Sequence, residues 1–273
     1  MTTATDKFDR RAEAVGSLLC VGLDPELERI PARFRDEAWP LFAFNRWIIE
    51  QTHRYAAAYK PNMAFYEARG TQGLRELELT MEYLRGEHPD IFTICDAKRG
   101  DIGNTNRGYA VSIFDAMGFD AVTLHPYLGK EALTPFLERR DKVCIVLCRT
   151  SNPGAGEFQD LESGGRPLWE TVALRVSTDW NAAGNCMLVV GATYPDEMRR
   201  IRAIAPEIDF LVPGVGAQGG DVAAVVAAGM DAQGKGLLIS SSRGIIFNDD
   251  PAAAARGLRD EINAAREAVH AAS

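Results

Sequence analysis

The residues whose types and spacing best suit chemistry are Asp96, Lys98 and Asp101, within Ile91-Phe-Thr-Ile-Cys-Asp96-Ala-Lys98-Arg-Gly-Asp101. A short apolar run with β-branched residues reads as a buried strand, and at Asp96 it breaks abruptly into charge. Residues two apart on a strand point to one side, so Asp96 and Lys98 are expected to leave its carboxyl end together. Gly100 permits a sharp turn that would bring Asp101 back beside them. Negative, positive and negative groups in alternation hold one another in their charged forms. An ammonium framed in this way can stabilise electron density developing on a substrate carbon and then protonate that carbon. The competing reading is a salt-bridged surface turn, because charge clusters mark functional sites only statistically.

The elements around the cluster must decide between the two. Apolar runs at 18–24, 56–62, 91–96, 121–125, 142–148, 186–191, 209–213 and 236–240 read as strands. Between them, helical spacing of apolar residues covers 41–55, 71–85, 105–117, 131–139, 168–180, 195–203 and 222–228, and an Ala-, Arg- and Glu-rich helix covers 251–272. A short polar helix at 6–15 precedes them as a lid over one end, and 25–40 and 149–166 read as irregular connections. About eight strand–helix units at crossover spacing predict a single (β/α)8 TIM barrel with an extra N-terminal helix. No linker or composition shift divides the chain, so one domain over 1–273 is expected. Polar residues gather at the strand ends: Asp24, Lys60, Asn62, Asp96, Lys98, His125, Ser151, Gln218 and Arg243. In a barrel those ends share one face, where barrel enzymes place their chemistry.

Composition narrows the function. With 273 residues, 46% hydrophobic and 25% charged, the chain is an ordinary globular one with ample core. A formal net charge of −8 argues against nucleic-acid binding, though a local basic pocket for a small phosphate is compatible with it. Neither a signal-type apolar start nor a run of membrane-spanning length occurs, so no membrane partner and a cytoplasmic location are expected. The five cysteines, Cys20, Cys95, Cys144, Cys148 and Cys186, fall mostly inside strands and read as buried free thiols of a reducing compartment. None of His53, His88, His125 and His270 is spaced to complete a zinc site with Cys144 and Cys148.

Gly214-Val-Gly216-Ala-Gln-Gly219 matches a dinucleotide-binding pattern, but it follows the seventh strand rather than the first. The next strand ends in Ser240-Ser-Ser-Arg243-Gly244 rather than in an acid for a ribose. The better reading is a phosphate pocket after strands seven and eight, with backbone N–H groups, Gln218 and the Arg243 fork as its donors.

With Lys60, Asp96-Ala-Lys98-Arg-Gly-Asp101-Ile102, Pro213-Gly-Val-Gly-Ala-Gln218 and Ser242-Arg243-Gly244 in register, the chain resembles the orotidine 5′-phosphate decarboxylase family, specifically its longer bacterial subgroup. That resemblance implies decarboxylation of orotidine monophosphate to UMP without a cofactor or metal, in a homodimer with sites at the interface. It implies Lys60, Asp96, Lys98 and Asp101 as the catalytic charge network, with Lys98 as proton donor. Asp101 and Thr105 would reach into the neighbouring subunit's site. Asp24 would hold the ribose, Ser151 and Pro213 would face the nucleotide, and Gln218, Arg243 and Gly244 would hold its phosphate. The connections 25–40 and 152–166 are long beside the shorter family members.

Two rivals remain open at this level. Related barrels that decarboxylate or cleave sugar phosphates use the same acid and lysine spacing with Mg²⁺, but place an acid where this chain has Lys60, and a lysine there repels a cation. A non-catalytic nucleotide-binding barrel is the other, since fold alone does not license activity. His125 reads as a structural histidine, Trp39, Trp47, Trp169 and Trp180 as packing or interface residues, and Asn104 and Asn106 as helix caps.

Overall fold

Among the residues described by the computed structural model, 4–215 and 220–272, eight parallel strands close a barrel with helices around it, the TIM architecture expected. The strands are β1 (Leu19–Gly22), β2 (Ala58–Lys60), β3 (Phe92–Arg99), β4 (Ala121–Leu124), β5 (Val143–Arg149), β6 (Cys186–Val190), β7 (Phe210–Pro213) and β8 (Leu237–Ser241). They follow chain order around the barrel, and the Leu19–Ile239 register between β1 and β8 closes it. Parallel strands covered by helices are buried on both faces, so they read as unbroken apolar runs such as Cys186-Met-Leu-Val-Val190.

Each helix docks an apolar stripe. The helix Pro40–Thr52, opened by its first-turn proline, buries Leu41, Phe44, Ile48 and Ile49, and Gly70–Glu87 buries Leu77, Met81 and Leu84. The N-terminal helix Ala4–Val15 closes the end of the barrel opposite the strand carboxyl termini. There Lys7 pairs with Asp120 at 2.7 Å, Arg11 Nε donates to the Ala56 carbonyl at 3.1 Å, and Phe8 packs on Phe92. All five cysteines are free and buried, as expected. Among the described residues no helix is long and apolar enough to cross a membrane.

The structure departs from the pattern-based reading in the connections. One-turn helices occupy Ala32–Arg35, Met63–Glu67 and Arg243–Ile246, too short to carry a periodic signal. The stretch expected to be irregular after β5 holds the helix Gly156–Gln159 and a hairpin that pairs Glu162–Ser163 with Arg166–Pro167. Two helices end in π turns, Val111–Ala116 and Val176–Trp180, where the apolar period alone reads as a continuous α-helix.

At the closed end one side chain fastens two connections. Arg202 donates through Nε to Gly229 O at 2.8 Å, through Nη2 to Gly236 O at 2.8 Å, and through Nη1 to Ile208 O at 2.7 Å and the carbonyls of Ala205 and Pro206. Its guanidinium lies over the Phe210 ring, 3.8 Å from the centroid. Replacement removes a charged donor from each of these carbonyls, and a hydrogen bond to a charged group contributes about 1.5–3 kcal/mol. Arg202→Met is therefore expected to lower stability by about 3 kcal/mol in urea unfolding, with the open end of the barrel undisturbed.

Candidate active site

The open end of the barrel is built around Asp96. The ladder between β3 and β4 pairs Cys95 with Val122 and next Arg99 with Leu124, so the intervening residues of β3 bulge toward the barrel mouth. Lys98 sits in this bulge with φ +48°, and no other non-glycine among the described residues has a positive φ. A lysine in the left-handed region costs about 1–2 kcal/mol, so its surroundings must impose it. The expectation that Asp96 and Lys98 emerge together is met, but by a strained bulge rather than by regular strand alternation.

Asp96 divides its two oxygens between two ammonium groups. Lys98 Nζ donates to Oδ1 at 2.7 Å and Lys60 Nζ to Oδ2 at 3.1 Å. Thr123 Oγ1 adds a donor to Oδ1 at 2.9 Å, and the Asp96 backbone N–H bonds Pro61 O at 3.0 Å. Asp96 and Lys60 are buried, whereas the Lys98 side chain is 50% exposed toward the mouth. Burial alone would raise the Asp96 carboxyl, but Lys60, Lys98 and the hydrogen bonds outweigh it and hold it well below the ordinary carboxylate value. Burial alone would likewise lower the Lys60 ammonium, but Asp96 and then Asp24 outweigh it and hold it above the ordinary lysine value.

Asp101 does not fold back onto this pair within one chain. Its carboxylate accepts the Ile102 N–H at 2.7 Å, and its own N–H donates to Asn106 Oδ1 at 2.9 Å. Asn106 is fully buried and also donates to the carbonyls of Asp101 and Ala132, so it locks the turn instead of serving as a simple cap. Thr105 is exposed at the start of the helix Gly103–Ala110, on the same outward turn. Gly100 earns its place by close approach, not by a positive φ: a Cβ there would lie 2.6 Å from His125 Nε2. The imidazole thus packs against the turn and also lines the cavity above the cluster, and the His125 backbone N–H donates to Arg99 O at 3.0 Å.

A cavity of about 960 Å³ opens over the cluster. Lys60, Asp96, Lys98, Thr123 and Ser151 line its polar floor beside Pro213, while Phe158, Leu168, Trp169, Val172 and Trp180 line an apolar arm. Ser151 is brought in by the connection after β5. A Cβ on Gly191 would lie 2.8 Å from Ser151 Cβ, so the glycine at the end of β6 lets that connection settle on the barrel. Gln159 fastens it further, accepting the Thr150 N–H at 3.0 Å and donating to Thr150 Oγ1 at 2.8 Å.

Asp24 follows β1, and Arg243 and Gly244 follow β8. Asp24 Oδ1 accepts the Asn62 N–H at 3.0 Å, which ties the ends of β1 and β2 together beside Lys60. Arg243 is exposed at the first position of its one-turn helix, directly after β8. Gly244 and Ser241 line a smaller cavity of about 580 Å³ whose wall also carries Asp221 and Glu261. Gln218 lies outside the described residues.

This geometry has counterparts of known kind. The sequence model described as orotidine 5′-phosphate decarboxylase / HUMPS family matches residues 17–258. The chain belongs to that family. It is 49% identical to orotidine 5′-phosphate decarboxylase of Cellvibrio japonicus, over 92% of this chain and 94% of that protein. It is 51% identical to that of Christiangramia forsetii, over 86% and 85% of the two chains. Among solved structures, Leishmania donovani OMP decarboxylase superposes with a TM-score of 0.88 at 43% identity, covering 97% of this chain and 99% of that one.

Residues missed by sequence reasoning are those whose use depends on the bulge and on the connection after β5. Thr123, inside Ala121-Val-Thr-Leu124, looks like any β-branched strand residue. Gln159 and Phe158 lie in a stretch without periodicity. Arg149, buried and ion-paired to Asp160 at 3.2 Å, read only as the start of a loop.

Because Asp96 compensates two ammonium groups, Asp96→Asn is expected to cost about 3 kcal/mol of stability at pH 7, since breaking a buried pair strands its partner. The depressed Asp96 contributes fully above the unfolded carboxylate value and loses its contribution as pH falls through the folded one. The raised Lys60 contributes fully below the unfolded lysine value and loses its contribution as pH rises through the folded one. Urea unfolding of both proteins across pH should therefore show a deficit that is flat between about pH 5 and 9 and shrinks below about pH 4.

Proposed function

We propose that this chain decarboxylates orotidine 5′-monophosphate to UMP, in the making of pyrimidine nucleotides, with Lys98 as proton donor and neither metal nor organic cofactor. The observation that carries the reading is the Asp96 carboxylate held between Lys60 and Lys98 at the cavity floor, with the Lys98 ammonium 2.7 Å from Oδ1 and half exposed to the cavity. Family membership supports the substrate, and the relatives named above carry the activity in their names.

The chemistry follows from the charges. When the bond from ring carbon to carboxylate breaks, CO₂ leaves and the electron pair stays on the carbon. A fixed ammonium beside that carbon stabilises the charge as it develops. Lys98 then delivers a proton to the carbon, is left as a neutral amine, and recovers its proton from solvent. Asp96 aims the ammonium. The apolar arm of the cavity keeps water from competing with these interactions. Contacts at the far end of the nucleotide, from Asp24 to the ribose and from Gln218, Arg243 and Gly244 to the phosphate, supply binding energy that holds the reacting carbon against Lys98, with Ser151 and Pro213 facing the ring.

The Mg²⁺ alternative is disfavoured by the donor set. Both Asp96 oxygens already accept from ammonium groups, and Lys60 is buried where a metal ligand would be needed. A homodimer with shared sites is favoured by the surface around the cluster. Ile102, Val111, Tyr127 and Leu128 are 59%, 55%, 82% and 46% exposed, large apolar side chains left open on the segment that follows β3 and on the connection after β4. Asp101 directly precedes Ile102, and its carboxylate accepts from the Ile102 N–H rather than from Lys98.

Loss of orotidine monophosphate absorbance, followed with and without EDTA, should proceed equally in both conditions. Lys98→Ala should lower kcat by at least a thousandfold while nucleotide affinity changes little; undiminished turnover in that variant rules out the proton-donor role. Mixing inactive Lys98→Ala with inactive Asp101→Asn should restore part of the activity through hybrid dimers, and no recovery under proven subunit exchange counts against the shared site.

A further inference from the structure

Between Cys95–Val122 and Arg99–Leu124 the ladder leaves Asp96, Ala97 and Lys98 facing the single residue Thr123. A bulge of this kind takes backbone N–H groups out of the ladder, and each buried one needs another acceptor. For Lys98 that acceptor is a side chain: its N–H donates to Thr123 Oγ1 at 2.9 Å. A hydroxyl has one proton and two lone pairs, and here the proton goes to Asp96 Oδ1 at 2.9 Å, the same oxygen that takes the Lys98 ammonium at 2.7 Å. The bonds form a closed circuit, from Lys98 N–H to Thr123, from Thr123 to Asp96, and from Asp96 back to the Lys98 side chain. Thr123 is 1% exposed and lines the cavity floor, so solvent cannot easily stand in for it.

We infer that Thr123 is a positioning residue, whose single hydroxyl holds Lys98 in its left-handed backbone conformation and orients Asp96, thereby aiming the Lys98 ammonium. The inference rests on the reading of Lys98 as proton donor given above. A purely structural threonine in a buried strand makes a different demand, for a β-branched shape, which valine meets as well or better. Valine keeps the shape and removes both hydrogen bonds, while serine keeps the hydroxyl and removes a methyl.

The test is steady-state decarboxylation of orotidine monophosphate by Thr123→Val and Thr123→Ser, with UMP affinity measured alongside. Thr123→Val should lower kcat at least tenfold while KM and the UMP dissociation constant stay within threefold, and its Lys98 amide should exchange with solvent at least tenfold faster. Thr123→Ser should keep kcat within threefold of the native enzyme. Should Thr123→Val fail to fold, Thr123→Ala is read against Thr123→Ser in the same way. Native kcat in the valine or alanine variant, or a kcat that follows side-chain size rather than the hydroxyl, overturns the inference. Lys98→Ala assayed in parallel separates the two levels: if it is inactive, that failure belongs to Thr123 alone, and if it is active, both fall.

Discussion

One carboxylate shared by two ammonium groups is the constraint around which the open end of this barrel is arranged. Asp96 and Lys60 are both buried, and taking either charge from water costs several kcal/mol unless it is paired and its remaining valences are filled. The barrel fills them from three neighbouring strands: Lys60 at the end of β2, Asp96 and Lys98 in the bulge of β3, and the Thr123 hydroxyl from β4. The three charged groups of the cluster sum to one excess positive charge facing the cavity, which suits an anionic ligand. Asp24, tied to the Asn62 N–H nearby, moderates that excess at Lys60 without approaching Lys98.

The bulge is the local cause of this arrangement. A regular β3 would carry its ladder to the strand end and leave Lys98 extended, whereas the slipped register turns the backbone left-handed at a residue with no intrinsic preference for it. Strain at a functional residue persists only where its neighbours over-determine it. Those neighbours are the Thr123 hydroxyl beneath Lys98, the Asp101–Asn106 turn that fixes the next residues, and the His125 ring seated on Gly100.

The strands were legible because a barrel buries both faces of each one, so every strand is an apolar run bounded by polar residues; observed and expected bounds differ by no more than three residues. The acids and lysines at their carboxyl ends were legible for the same reason, since charge directly after an apolar strand has to sit at the barrel mouth. What spacing cannot carry is a register slip. Asp96 and Lys98 point together under plain alternation and under the bulge alike, so the pattern gave no sign of the left-handed Lys98 or of Thr123. Asp101 was drawn toward its own lysine by the glycine before it, yet Asn106, five residues on and buried, draws that turn the other way. The connection after β5 was opaque because its helix and hairpin are too short for a periodic signal, and its order comes from side-chain bonds such as Gln159 to Thr150.

The two ends of the barrel divide the labour. At the closed end Arg202, the N-terminal helix and its Lys7–Asp120 pair satisfy backbone carbonyls and charge. At the open end the opposite holds: Lys98 is half exposed, its backbone is strained, and apolar side chains face outward. A barrel can sustain that contrast because its strands are rigid, buried rods that carry the stability of one end to the other. The strained lysine is thus maintained by the barrel as a whole but aimed by a handful of bonds, which is why its shape and its chemistry should separate under substitution of a single hydroxyl.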